Sequence, residues 1–439
     1  MKKVGIAVLA VATMFVADAA QANQGLFGGR TDQDGVINVR RSTTEQFEPI
    51  RGQSVAARAR PDFDPTPIDV SSFQLFPAIS VAGYYDSNIY STKAAKNDDV
   101  VTKINPSLTA ASNWGRHAVA FTGLADINTN VINNEENNVG GAAQLEGRYD
   151  IENQTWIGGS TSYQRVTEPR GNSSSFGAAA EPTQFDVFAA GTELYRGVGQ
   201  LKAKANYDFN YKDYDTLSLV GGGTINQNNR NRTDHKVKAE VGYEVTQNLK
   251  PFIRGSYDMM DYTNNSLRNS TGYGVVGGAK FDFGGITTAE AYAGYKGRSY
   301  HNYASGSVNV FDFGADVLWN VTELTSVQLE ANRSIDETTL GGVGAPGSSN
   351  AYGATGGSLT ATHELRRDVI LEANGSFTNN DYKNSSRDDD TYGVGAGARY
   401  FINRNFYSDF TYDFVTRSSN AVASNYDRHV ALVRFGAQY

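Results

Sequence analysis

The sequence predicts an all-β protein, a transmembrane antiparallel up-and-down β-barrel of about 18 strands behind a short irregular periplasmic N-terminal arm. Three observations predict it. From Phe76 onward the chain runs in segments of roughly ten alternating apolar and polar residues. The connectors between those segments alternate between short and long. The last segment, Arg428–Tyr439, keeps its period to the final residue, with Ala431, Val433, Phe435, Ala437 and Tyr439 on one side and Arg434, Gly436 and Gln438 on the other. Free chain ends fray, so an end periodic to its last residue is expected to be tied into a sheet.

The front of the chain reads MKK, then VGIAVLAVATMFVA, then DAAQAN. A basic start, a short apolar run and small-residue cleavage sites make a secretory signal peptide over residues 1–22, cut after Ala22. The run is shorter than the roughly 20 residues of a spanning helix. No later run is apolar for long enough to be one. Residues 23–75 are expected to form a weakly ordered periplasmic arm, because the prolines of Arg60–Pro67 (RPDFDPTP) remove donors and fix φ. Residues 76–439 form the predicted barrel.

Within it, strands are expected to begin near Phe76, Val100, His117, Val139, Thr155, Thr183, Leu201, Asp234, Leu249, Thr271, Thr287, Val308, Thr325, Ala351, Asp368, Thr391, Asn405 and Tyr426. NWGRH, TQNL, FGGI and INRN are short connectors; INTNVINNEENN and TEPRGNSSSFGAAAEPT are long and polar. Short periplasmic turns and long extracellular loops are the rhythm of an outer-membrane barrel. An even strand count puts both ends in the periplasm, so Phe435 and Tyr439 are expected to close the sheet at the inner interface and serve as an assembly signal.

Composition agrees. Mean hydropathy is −0.45, yet the chain carries 46 Gly, 25 Tyr and 22 Phe, which suits one lipid face and one wet face. The absence of cysteine excludes disulfides and thiolate chemistry, and a net charge of −8 argues against nucleic acid as partner.

Several strands separate into faces. Leu201, Ala203, Ala205, Tyr207, Phe209 and Tyr211 are expected on lipid, with Lys202, Lys204 and Asp208 inside; Val237, Ala239 and Val241 oppose Lys236, Lys238 and Glu240. A Lys or Arg on the lipid face at mid-bilayer costs about 2–4 kcal/mol, so these charges point inward. The inward set offered as transport candidates is Lys202, Lys204, Lys236, Lys238, Glu240, Arg254, Glu290, Tyr292, Lys296, Arg298, Glu330, Arg399 and Arg434. An aqueous lumen is expected at this strand number unless the arm or the loop at residues 219–231 plugs it.

Motifs for chemistry are weak. GVGAPG (Gly342–Gly347) fits GxGxxG but contains Pro346 and opens no helix. Asp388–Asp390 lacks the spacing of a calcium loop, and the five histidines make no zinc pair. No nucleophile elbow occurs. No catalytic, cofactor or metal residue is assigned, and no enzyme is expected.

Ser71–Gly123, with its Phe-Pro first strand, YDSNIY rim and Pro-Ser-Leu…Ser-Asn-Trp-Gly-Arg-His second strand and turn, resembles the family of Gram-negative outer-membrane proteins called putative β-barrel porin 2. Tyr400–His429 resembles it again. The resemblance implies an outer-membrane channel. Members lie near polysaccharide synthesis and export genes, so it further implies an exit pore for an exopolysaccharide. The implied partners are the polysaccharide, outer-membrane lipid, the barrel assembly machinery and periplasmic polysaccharide-export proteins. A general or sugar-selective uptake porin is the alternative, and a barrel-borne enzyme or adhesin is third.

Overall fold

The computed structural model describes residues 53–172, 174–301, 307–338 and 351–439. The predicted signal peptide, the first part of the predicted arm and Gly342–Gly347 lie outside the described residues. Eighteen antiparallel strands close into a barrel. They are β1 (Phe73–Asp86), β2 (Asp99–Ser112), β3 (Ala118–Asn130), β4 (Asn138–Glu152), β5 (Thr155–Thr167), β6 (Gln184–Val198), β7 (Leu201–Tyr214), β8 (Arg232–Tyr243) and β9 (Leu249–Tyr262), followed by β10 (Ser270–Phe283), β11 (Thr287–Tyr300), β12 (Ser307–Thr322), β13 (Thr325–Glu337), β14 (Ala351–Arg366), β15 (Val369–Tyr382), β16 (Asp388–Phe401), β17 (Phe406–Ser419) and β18 (Tyr426–Gln438). The predicted starts agree closely. Among the larger offsets are Phe76 against Phe73 and Thr391 against Asp388.

Each strand pairs with its sequence neighbours, and β18 closes on β1 from Ala78↔Gln438 to Asp86↔Val430. Closure removes both sheet edges, which hydrocarbon cannot solvate. The Tyr439 amide adds a bond to the Pro77 carbonyl at 3.1 Å. The short connectors, such as 153–154, 199–200, 323–324 and 367–368, all lie at the end that holds the C-terminus. Gly199 sits at φ +58°, the left-handed region a two-residue turn needs. The long connectors, including 87–98, 168–183 and 215–231, lie at the opposite end.

The period-2 rule holds around the wall. Phe435 is 62% exposed on the outer face, while its neighbour Arg434 is 1% exposed on the inner one. Outward Tyr257, Tyr273 and Tyr295 form part of one aromatic belt, and outward Trp319, Tyr400 and Phe406 lie toward the other rim. The inner face is less uniformly polar than the sequence suggests. Val166, Phe185, Val187 and Tyr214 pack together near the ends of β5–β7, as do Ala82, Tyr84, Val101, Val430 and Leu432 on β1, β2 and β18. These clusters sit toward the long connectors, which turn that part of the inner wall into a packed core.

Wall pairing begins at Phe73, ahead of the predicted boundary, because Ile68–Val70 hairpins onto Phe73–Leu75. Residues 53–66 are tied down at the short-connector end. Val55 is fully buried and its amide donates to Ser326 Oγ at 3.0 Å.

Candidate transport pathway

The inner wall is built around matched charges. On β8–β11, Glu240 stands opposite Arg254 and Lys280 opposite Glu290 in the strand register. Arg254 donates to Glu240 at 2.6 and 2.8 Å and to Glu290 at 2.7 Å, and Lys280 reaches Glu240 at 2.8 Å. The Arg254 guanidinium also lies 4.7 Å from the Phe252 ring centre and 5.5 Å from that of Tyr292. Glycine makes room for these flat-lying side chains. A Cβ on Gly278 would stand 2.6 Å from the Phe252 ring and 2.8 Å from Tyr292 Cβ.

The other predicted inward residues also lie on this face. Lys204 pairs with Glu193 at 3.0 Å, and Lys202 Nζ donates to Gln154 Oε1 at 2.7 Å. Lys236 stands among Lys238, Lys296, Asp258 and Asp208. Arg298 is buried on Asp258 and donates to Ser270 Oγ at 2.9 Å. Glu330 accepts from Gln328 at 2.8 Å. Arg399 grips Asp409 through bonds of 2.7 and 3.0 Å and lies over the Tyr407 ring, while Arg434 reaches the same Asp409 at 3.2 Å. Both signs therefore line the lumen, and most of these charges engage one another.

Sequence reasoning missed several members. Lys280, Phe252 and Asp409 have the right parity on their strands, and alternation alone identifies them. Lys103, fully buried, meets Asp126 at 2.9 Å across β2 and β3. Others meet only in space, such as Glu168 with Arg230.

The mouth at the long-connector end is partly roofed. Of the long connectors, 168–183 leans inward. Glu168 is bound twice by Arg230 from connector 215–231, at 3.1 and 2.6 Å, with both side chains buried. Arg170 pairs with Glu136 of the β3–β4 connector. From the other side, Arg417 on β17 donates to the Gly171 carbonyl at 2.6 Å. A Cβ on Gly171 would stand 3.1 Å from Tyr426 Oη and 3.2 Å from Ser91 Oγ. Residues 168–172 thus lie across the sector from β17 through β1 to β5. The loop at residues 219–231, one of the two expected plugs beside the arm, belongs to connector 215–231, which carries its own small hairpin with Val220 at the tip 73% exposed. Three consecutive glycines with positive φ, Gly221–Gly223, turn the chain at that tip.

At the mouth on the short-connector end the arm rests on β12–β14. Arg60 pairs with Glu364 at 3.2 Å and holds the Val55 carbonyl at 2.6 Å. Arg58 donates to the Glu323 carbonyl and to Asn320 Oδ1. Burial pulls the Arg60 guanidinium below its ordinary value, against the pull of Glu364. Burial likewise pushes the Asp64 carboxyl up, although it accepts from the Arg60 amide at 2.6 Å.

Among the described residues no group of three or more potential ligands forms a metal site. No curated protein sequence matches the chain. Among solved structures, the outer-membrane protein OpdK of Pseudomonas aeruginosa aligns at 12% identity and a TM-score of 0.44, covering 83% of this chain and 99% of that one. The siderophore receptor PirA of the same organism aligns at 7% identity and 0.42, covering 85% and 81%. The sequence family described as "Putative beta-barrel porin 2" matches residues 60–439, from the arm that seats in the short-connector mouth through the whole closed sheet. The chain belongs to that family, and it is a porin-like outer-membrane β-barrel channel.

Proposed function

We propose that this barrel is the exit channel for an exopolysaccharide and has no enzymatic activity of its own. The observation that carries the reading is the inner wall of mutually paired charges interleaved with aromatic faces, such as Arg254 between Glu240, Glu290, Phe252 and Tyr292. A sliding polymer needs many weak contacts, since a tight site would stop it. Ion pairs that satisfy each other offer hydrogen bonds and ring faces to sugars without presenting one strong counter-charge. The inward residues named above are the transport surface in this reading. Phe435 and Tyr439 address the chain to the barrel assembly machinery, residues 1–22 are the signal peptide, and the arm faces periplasmic export proteins.

Selective uptake of a small solute is the second reading, favoured by residues 168–172 leaning across the extracellular mouth. The deletion strain separates the two. Loss of surface polysaccharide with unchanged small-solute uptake supports export. Unchanged polysaccharide with reduced uptake replaces export by the porin reading.

A further inference from the structure

Most charges on the inner wall have a partner, but one group does not. Among the described residues the ammoniums of Lys236 on β8 and Lys296 on β11 make no ion pair or hydrogen bond, and neither does the Asp312 carboxylate on β12. All three are half-buried and share the inward parity of their strands. They also act on one another. Lys236 feels Lys238 and Lys296, and Asp312 feels Lys296, Lys236 and Arg254. Arg254 is already taken by Glu240 and Glu290.

Glycine leaves them unmatched. In the strand register Lys236 stands between Asp208 on β7 and Asp258 on β9, and both aspartates lean away from it. Asp208 lies toward Gly191 on β6, where a Cβ would stand 3.3 Å from its Oδ1. Asp258 lies over Gly272 on β10, where a Cβ would stand 2.5 Å from its Oδ1, and reaches on to Arg298. Each carboxylate thus rests on bare backbone on its far side. Lys296 stands between Gly274 and Val310, neither of which offers an acceptor side chain. A Cβ on Gly274 would stand 3.6 Å from Lys296 Cγ and 2.8 Å from Ser256 Oγ. The lysine therefore leans over β10 toward β9 and β8, where Ser256 and Lys236 face it.

Resting on the export reading, we propose that this sector of β8–β12 is a subsite for an acid group carried on a sugar, so that the polymer leaving through the barrel is acidic. A sugar carboxylate between Lys236 and Lys296 supplies the counter-charge that Asp208 and Asp258 withhold, and a neighbouring hydroxyl donates to Asp312. A neutral glycan offers two ammoniums only the hydrogen bonds that water offers equally. Elsewhere on the wall an acid group meets cations already bound to carboxylates, as Arg254 is to Glu240. Half-buried ammoniums in a wide lumen form weak, exchanging ion pairs, which is what a moving chain requires.

The test uses the full-length protein in planar phosphatidylethanolamine–phosphatidylglycerol bilayers at about 0.1 M KCl, where charges are not fully screened. Hexagalacturonate is expected to give transient current blocks, and Lys236→Gln/Lys296→Gln should shorten them about tenfold. Lys296→Gln alone should shorten them about threefold. Maltohexaose, neutral and of equal length, should block all these proteins alike. Lys250→Gln/Lys383→Gln removes the same charge near the two ends of the barrel. It should make blocks rarer without shortening them, because distant charge steers arrival while contact sets release. Equal block lengths in wild type and Lys236→Gln/Lys296→Gln overturn the subsite, and so does equal shortening by the two double variants. A deletion strain that loses a surface polysaccharide free of acid groups keeps export and overturns the acidic cargo. Unchanged surface polysaccharide in that strain, with block lengths still set by Lys236 and Lys296, ends the export reading and leaves the subsite to a small acidic solute.

Discussion

Glu168→Gln should unlatch the extracellular mouth without unfolding the barrel. The two partners are buried, at 0% and 4% side-chain exposure, and joined by a two-pronged bond of 3.1 and 2.6 Å. Removing one charge from a buried pair strands the other, at a cost of about 3–5 kcal/mol. The Gln amide and the Tyr214 ring, 4.1 Å from the Arg230 guanidinium, retain some of that, so about 3 kcal/mol is expected. The loss falls on connectors 168–183 and 215–231, because the strand ladders beneath them are untouched and local segments open independently. At 1.4 kcal/mol per tenfold, the open-to-closed ratio of this loop pair rises about a hundredfold. In planar bilayers the variant should show higher mean conductance and more frequent steps, and on intact cells its loops should become protease-sensitive. Glu168→Gln/Arg230→Met should recover part of the closed state, since no charge is then left buried alone. Wild-type conductance and protease resistance in Glu168→Gln, with heat-modifiable barrel intact, would refute the reasoning.

Deleting Arg434–Tyr439 removes the pairing from Ala78↔Gln438 to Ala82↔Arg434 and should leave the protein unassembled in the periplasm, read by outer-membrane fractionation. A tag at Gly221–Gly223 should be labelled on intact cells and one at Asn403 should not; a site between Asn226 and Arg230 is a poor choice, because Gln227 and Arg230 are buried. Lys296→Glu should shift the reconstituted pore toward cations in reversal-potential measurements, whereas Arg298→Glu puts a third acid against Asp258 and Glu337 and should lower assembled protein. Burial holds the Asp64 carboxyl above its ordinary value, so the docked arm binds more protons than the free arm. Its seat should therefore tighten as pH falls through that range and loosen as pH rises, read by exchange of the Val55 amide between about pH 4 and 7. Asp64→Asn should flatten that dependence.

Strand positions were legible because one face must meet lipid and the other water, and a one-residue slip would exchange them all. The inward set followed from the same parity. Lys280 was overlooked only because GGAKFDF is rich in glycine and aromatics, though its parity is as clear as that of Lys296. What alternation does not carry is contact between remote segments. Arg417 and Gly171 are 246 residues apart, and Arg60 and Glu364 are 304 apart.

Ring closure also sets an order of events. Gln438 bonds back to Phe63, 375 residues earlier, and Tyr439 to Pro77. The free edge of β1 therefore has no native mate until Val430–Gln438 have been synthesised and delivered. Throughout that interval a long, apolar-faced strand edge is exposed to water, where such edges recruit one another into aggregates. A polypeptide with this topology keeps that edge open until its two ends meet, and pairing across so long a separation is intrinsically slow.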